Sequence, residues 1–199
     1  MNTHTLSTRD KLIAAMADAL QRKGLHGVGL NELLSQAQAP KGSLYHHFPG
    51  GKTELAVAAI EYLGTRIDAF VERLFSEHPE PLQALRRWLD GGLQQLEASR
   101  FSRGCPLATV ALESGPEDVE IRAALANCFV RLRQALGRQI ASMGYPPASA
   151  NQFASLFVAL YEGGLLQARV AADGQPLLDA ANALFELLQH YPREMRHEA

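Results

Sequence analysis

Lys41, Ser43, Tyr45, His46, His47 and Lys52 crowd into twelve residues and offer two cations, a hydroxyl, a phenol and two imidazoles. Such groups hydrogen-bond to phosphate oxygens and to the edges of bases. Lys41 can reach guanine N7/O6 or a phosphate, and Ser43 and His46 can offer groups to base edges. Gly42 has no Cβ, so the backbone there can come close to a nucleic-acid strand. Tyr45, His47 and Lys52 suit phosphate anchoring, which positions a reader without reading sequence. Asn31 is a further phosphate candidate. The chemistry is recognition, not catalysis. No Gly-rich phosphate loop, metal-ligand spacing or Gly-x-Ser-x-Gly turn is present. Adjacent helical positions diverge by about 100°, so His46 and His47 cannot readily share a metal ion, and no cofactor is expected.

Those groups must be carried on a rigid support, and the hydrophobic spacing is helical throughout. Leu44 and Phe48, four residues apart, turn inward against Leu33 and a first helix, leaving Lys41, Ser43, Tyr45, His46 and His47 outward or flanking. Ser7 or Thr8 can cap that first helix, whose apolar face is Leu12, Ile13, Met16, Ala19 and Leu20, and Gly24 ends it. A second helix is expected over residues 30–37 and a third over 40–48, with Pro40 at or near its first turn. Pro49-Gly50-Gly51 breaks the chain before a long fourth helix from Lys52, whose N-terminus adds a positive dipole end for a phosphate.

Further helices follow at about 82–98, 106–113, 117–143, 148–172 and 175–191, separated by Pro and Gly. The chain therefore reads as all-α with about nine helices, and with a functional boundary near the start of the fourth. Glu113, Glu117, Asp118 and Glu120 form an acidic cluster around a Gly-Pro break that reads as a solvated helix start.

Composition narrows the class. With 199 residues, 47% hydrophobic and 20% charged, the chain can bury a full core and is neither disordered nor membrane-like. No apolar run and no leader-like N-terminus is seen, so a cytoplasmic protein without membrane attachment is expected. The net charge of −2 is unevenly spread. Residues 1–52 hold six Lys or Arg against three Asp or Glu, whereas the remainder holds 13 against 18. Only the N-terminal quarter suits a polyanion.

The run Lys41-Gly42-Ser43-Leu44-Tyr45-His46-His47-Phe48 with Lys52 downstream resembles the recognition helix and linking-helix start of the TetR family of transcriptional regulators. The resemblance is strong over about residues 6–66. It implies a three-helix, helix-turn-helix DNA-binding domain at 6–66, with its motif at about 29–48, and an effector-binding and dimerisation domain at 67–199. Pro-Gly-Gly-Lys at 49–52 and Gly104-Cys105-Pro106-Leu107 resemble the branch of LmrA- and YxaF-like regulators, some members of which respond to drugs or flavonoids. Two positions depart from the family. Gln38 stands where the turn usually has Gly, at a cost of roughly 1 kcal/mol for a left-handed backbone. Gly29 stands where Ser or Thr usually caps the second helix, a loss of a few tenths of a kcal/mol.

One such reader buries too little surface to find an operator, so two copies about one DNA turn apart, on a pseudo-palindromic duplex, are expected. The last two helices offer Leu165, Leu166, Ala168, Leu177, Leu178, Ala181, Leu184 and Leu188, and an interface built on Leu165, Ala168, Leu178, Ala181, Leu184 and Leu188 would make a homodimer. Gly163-Gly164, which costs roughly 1 kcal/mol per residue within a helix, implies a close approach or a kink. Candidate effector contacts are Trp88, Phe101, Cys105, Leu107, Phe129, Phe157, Tyr161 and Glu162, whose chemistry favours a flat, apolar or aromatic ligand. The expected function is a repressor released from its operator by such an effector. Cys105, beside Pro106 at a helix start and two residues after Arg103, supplies the alternative of a thiol sensor for oxidants or electrophiles. A helical enzyme or an adaptor is the reading from another class.

Overall fold

Ser7 opens the first helix as its side chain accepts the Asp10 N–H at 3.1 Å, and Gly24 closes it at φ +68°. The same punctuation recurs along the chain, with Pro in the first turn of four later helices, where its fixed φ suits the helix and its missing N–H costs nothing. The computed structural model describes residues 6–192; the leader reading at the N-terminus and the end of the 67–199 region extend outside them. The described residues are all-α, in nine helices. They are α1 (Thr8–Lys23), α2 (Leu30–Gln36), α3 (Ser43–His47), α4 (Gly51–Glu77), α5 (Pro81–Ala98), α6 (Pro106–Glu113), α7 (Val119–Ala141), α8 (Pro147–Ala171) and α9 (Gln175–His190).

Two starts differ from the sequence expectation. The third helix begins at Ser43 rather than Pro40, because the Pro40 carbonyl accepts both the Ser43 N–H and the Ser43 hydroxyl, at 3.0 and 2.6 Å. That closes a turn ahead of the helix, and Lys41 and Gly42 lie in it. The seventh helix begins at Val119 rather than near 117. There the Asp118 carboxylate accepts the Gly115 N–H at 2.8 Å and holds the preceding turn.

The chain forms two compact units. The first comprises the residues up to Arg66 and Cys105–Cys128. Its core is Leu12, Met16, Leu20, Leu33, Leu44, Phe48, Leu55 and Ile60, all buried, and α1 packs on α2, α3 and α6. The second comprises Ile67–Gly104 and the residues from Phe129. There α5 packs on α8 and α9, and α8 packs most extensively on α9. A Cβ on Gly164 would lie 2.5 Å from Leu177 Cδ1 and 3.1 Å from its Cα, so this glycine permits the close approach of α8 and α9. Gly163 has open space where its Cβ would be. Both helices α4 and α7 run continuously from one unit's residues into the other's.

The close α8–α9 contact corrects part of the interface expectation. Leu165, Ala168, Ala181, Leu184 and Leu188 are buried within the protomer, so they belong to its core. Of the six, Leu178 is exposed, at 37%. The outward apolar groups on these helices are Leu156, Leu166, Val170, Leu178 and Leu187. Gly163, Leu166 and Val170 follow one another at three- and four-residue steps, which puts them on one face.

Candidate nucleic-acid interface

The reading head depends on how little of it is buried. Leu44 and Phe48 are each 1% exposed and fix the short α3 to the core, whereas Tyr45 is 61% exposed. Lys41, Gly42 and His46 are exposed too, and Ser43, His47 and Lys52 are half-buried. A side chain at Gly42 would meet nothing within 4 Å, so glycine here leaves room for an approaching strand and is not required by the protein's own packing. The Ser43 hydroxyl already donates to the Pro40 carbonyl. Its oxygen therefore remains an acceptor, which narrows what it can read on a base edge. The rings of His46 and His47 meet edge to face at 4.9 Å. Among the described residues no three His, Cys, Asp or Glu gather as a metal-binding group.

Around α3 the supports are local. The Arg9 guanidinium lies 5.3 Å from the Phe48 ring centroid. Tyr45 packs its ring against Gly51, whose φ of +69° suits glycine. The Gly50 N–H donates to the Glu54 carboxylate at 2.7 Å, and the Gly51 N–H to the Phe48 carbonyl at 2.8 Å. A phosphate arriving at the start of α4 would thus meet Lys52 beside a carboxylate, not the bare positive end expected from sequence.

Asn31 is exposed in the first turn of α2. Next to it, the Lys23 ammonium binds both Glu32 carboxylate oxygens at 2.7 Å and holds the Glu32 carboxyl below its ordinary range. That stabilisation is present at neutral pH and fades as the pH falls through the lowered value. The pair also offsets the one acidic charge beside Asn31. Both departures noted in the sequence have structural counterparts. Gln38 adopts φ +52°, and Gly29 provides no side-chain cap to α2.

In the second unit Trp88, Phe157 and Tyr161 come together. Trp88 meets Phe157 edge to face at 5.7 Å and Tyr161 at 5.9 Å, and Phe157 stacks parallel to Tyr161 at 6.5 Å. Phe70 of α4, which falls at helical spacing with Ile67 and Leu74, joins them, 5.2 Å from Trp88. Gly92 makes room for Tyr161, whose hydroxyl would lie 2.5 Å from a Cβ there. Glu162 is half-buried beside Tyr161 on α8, and Phe101 and Phe129 are half-buried elsewhere in this unit. Cys105 and Leu107 belong to the first unit, Cys105 half-buried at the N-cap of α6 and Leu107 buried within α6.

The acidic cluster contained one residue with a different role. Glu113 is not a solvated helix-start residue: its carboxylate accepts the His26 N–H at 3.1 Å. No local spacing signals that contact, because the partners are 87 residues apart.

Comparison with known proteins gives two family matches, and the second runs through Cys105–Cys128 of the first unit. Residues 12–59 match the family of bacterial regulatory proteins called the tetR family. Residues 81–183 match the C-terminal domain of LmrA/YxaF-like transcriptional regulators. An uncharacterized HTH-type transcriptional regulator of Mycobacterium tuberculosis is 33% identical over 174 residues, covering 85% of this chain and 88% of that protein. The regulatory protein TetR solved from Rhodobacter sphaeroides is 26% identical, with a TM-score of 0.77 over 93% of this chain and 99% of that one. The TetR family regulator CifR, solved with 26-bp double-strand operator DNA, shares the fold at 20% identity and a TM-score of 0.72, over 96% of this chain and 100% of that one.

Proposed function

This chain belongs to the TetR family of DNA-binding transcriptional regulators, and we propose that it acts as a homodimeric repressor released from a pseudo-palindromic operator by a small apolar or aromatic effector. Membership makes it a regulator and not an enzyme. The observation that carries the reading is the outer face of residues 41–46: a cation, an open glycine, a phenol and an imidazole held outward by the buried Leu44 and Phe48. Lys41 and His46 read base edges, with Ser43 as an acceptor; Asn31, Tyr45, His47 and Lys52 anchor phosphates. Work on chromosomal DNA is the support for a cytoplasmic location in this reading.

Two heads must be held about one DNA turn apart. The exposed Leu166, Val170 and Leu178, with Leu156 and Leu187 flanking, supply the apolar centre of a two-fold interface on α8 and α9.

Release follows from α4. Its first turns carry the head, and further along it bears Phe70, which touches Trp88. An effector that separates the edge-to-face rings of Trp88, Phe157 and Tyr161 moves Phe70 with them and tilts α4, changing the spacing of the two heads. A hundredfold loss of operator affinity requires about 2.7 kcal/mol of difference in effector binding between the two states.

The test is a mobility shift with duplexes from the DNA upstream of the chain's own gene, across salt concentrations and with flat aromatic ligands added. Sequence-selective binding that falls steeply with salt supports the operator reading. Affinity that no ligand of this cluster alters removes the effector reading.

Thiol sensing at Cys105 is a second reading, supported by its half-buried position at the N-cap of α6. Release by an electrophile that persists unchanged in Cys105→Ser would eliminate it.

A further inference from the structure

We propose that Glu113 is a positioning residue for operator binding, its carboxylate holding the α1–α2 loop of the reading head in the geometry that fits DNA. The inference rests on the operator reading above and adds a residue that lies outside the helix-turn-helix. Three contacts carry it. The His26 N–H donates to Glu113 Oε2 at 3.1 Å. The His26 Nε2 lies 3.2 Å from the Glu113 backbone carbonyl oxygen. The carboxylate also rests against the backbone of Gly24, where any Cβ would collide with it.

The loop needs such a hold. It leaves α1 at Gly24 with φ +68° and enters α2 at Gly29, which gives no side-chain cap. Leu25 and Val28 are buried and anchor its base. Lys23–Glu32, Arg22–Gln36 and Gln36–Asp18 tie α1 to α2 directly, so Glu113 adds the hold on the loop itself to those that fix the angle at which α2 departs. That angle sets α2, and through the turn at Gln38 it sets α3. The second hydrogen bond at Glu113 comes from a helix that itself packs on α1, so α6, α1 and the loop form one assembly. A charge-assisted bond to an otherwise uncapped loop is the stronger kind of tie.

The sign of the effect separates this role from simple electrostatics. Glu113 is an acid in the DNA-binding unit, and removing a negative charge would by itself tighten DNA binding. Positioning predicts the reverse. In the full-length chain, binding to a duplex from the DNA upstream of its own gene should weaken about 5- to 10-fold in Glu113→Ala and about threefold in Glu113→Asp, whose charge is kept but whose reach is shorter. Glu113→Gln keeps a carbonyl acceptor for the His26 N–H and should stay within about twofold of the parent. The salt slope should not change in any of the three, whereas loss of a phosphate contact lowers it by about 0.9. Hydrogen exchange at the His26 amide should accelerate in the Ala and Asp variants.

Parental or tighter binding by Glu113→Ala overturns the proposal, and if that variant fails to fold, parental binding by Glu113→Asp does so. A parent chain that binds no duplex from that region instead sinks the operator reading, which keeps the two failures apart.

Discussion

The reading head and the aromatic cluster use similar side chains in opposite ways. In the head, Tyr45 and His46 stand in solvent on a helix of five residues, held by two buried anchors. In the second unit, Trp88 and Phe157 are buried and meet one another edge to face. A duplex is large and polar, so its reader gains by presenting groups outward on a minimal support. On the proposed reading, an apolar effector would be recognised by groups that cover one another until it separates them. The head should therefore show weak coupling between its contacts and its stability, and the cluster strong coupling.

The largest effect should fall on the cluster. Phe157→Ala removes a ring 1% exposed and should destabilise the protein by about 3–5 kcal/mol, read as a fall in Tm of about 2–4 °C per kcal/mol. Without effector, operator affinity of the molecules that remain folded should change little, because Phe70 keeps its contact with Trp88. A small Tm change would mean that the rings are loosely packed and would weaken the contrast.

The outer face of α8 and α9 comes next. If this face forms the proposed two-fold interface, a Leu166→Asp, Leu178→Asp double variant brings like charges together across its axis and should weaken self-association by on the order of 2–4 kcal/mol, measured by sedimentation. Operator binding should fall with it, because single heads then find half-sites separately. An unchanged dimer would exclude this face as the interface.

Lys41→Ala tests the other pole. It should cost about 1–3 kcal/mol of operator affinity and lower the salt slope if the ammonium meets a phosphate, with stability changed by no more than about 0.5 kcal/mol. Together with Phe157→Ala it makes a crossed pair, one variant moving Tm and the other affinity. Both variants moving both quantities would break the comparison.

What could be read in advance divides along the same line. The helices and the outward face of α3 were legible because a 3.6-residue period and the Leu44–Phe48 spacing are local. The apolar surface of α8 and α9 was legible only as a total. Which leucines face outward depends on how closely Gly164 lets the two helices approach, and that decision put Leu165, Ala168 and Leu184 inside and left Leu166 and Val170 outside. Glu113 was read as solvated because its partner lies far away in sequence. Phe70 was legible as core, but its ring partners on α5 and α8 follow from tertiary packing alone.

The smallest effect concerns strain, which both regions contain. Gln38 in the head and Arg100 with Phe101 after α5 adopt φ of +52°, +55° and +58°. The Gln38 side chain is exposed, so Gln38→Gly gives up little packing. It relieves a left-handed cost of roughly 1 kcal/mol and gives back part of it through the freer unfolded chain. The net gain should be at most about 0.6 kcal/mol, or a rise in Tm of no more than about 2 °C. Arg100→Gly, likewise exposed, should gain a similar amount. The two should differ at the operator. If the turn at Gln38 aims α3, relieving it will change affinity for the duplex, whereas Arg100→Gly will leave affinity unaltered. A fall in Tm in both variants would show that these backbones are held without strain. An affinity change in Gln38→Gly alone would tie the departure from the family's glycine to how this head meets its DNA.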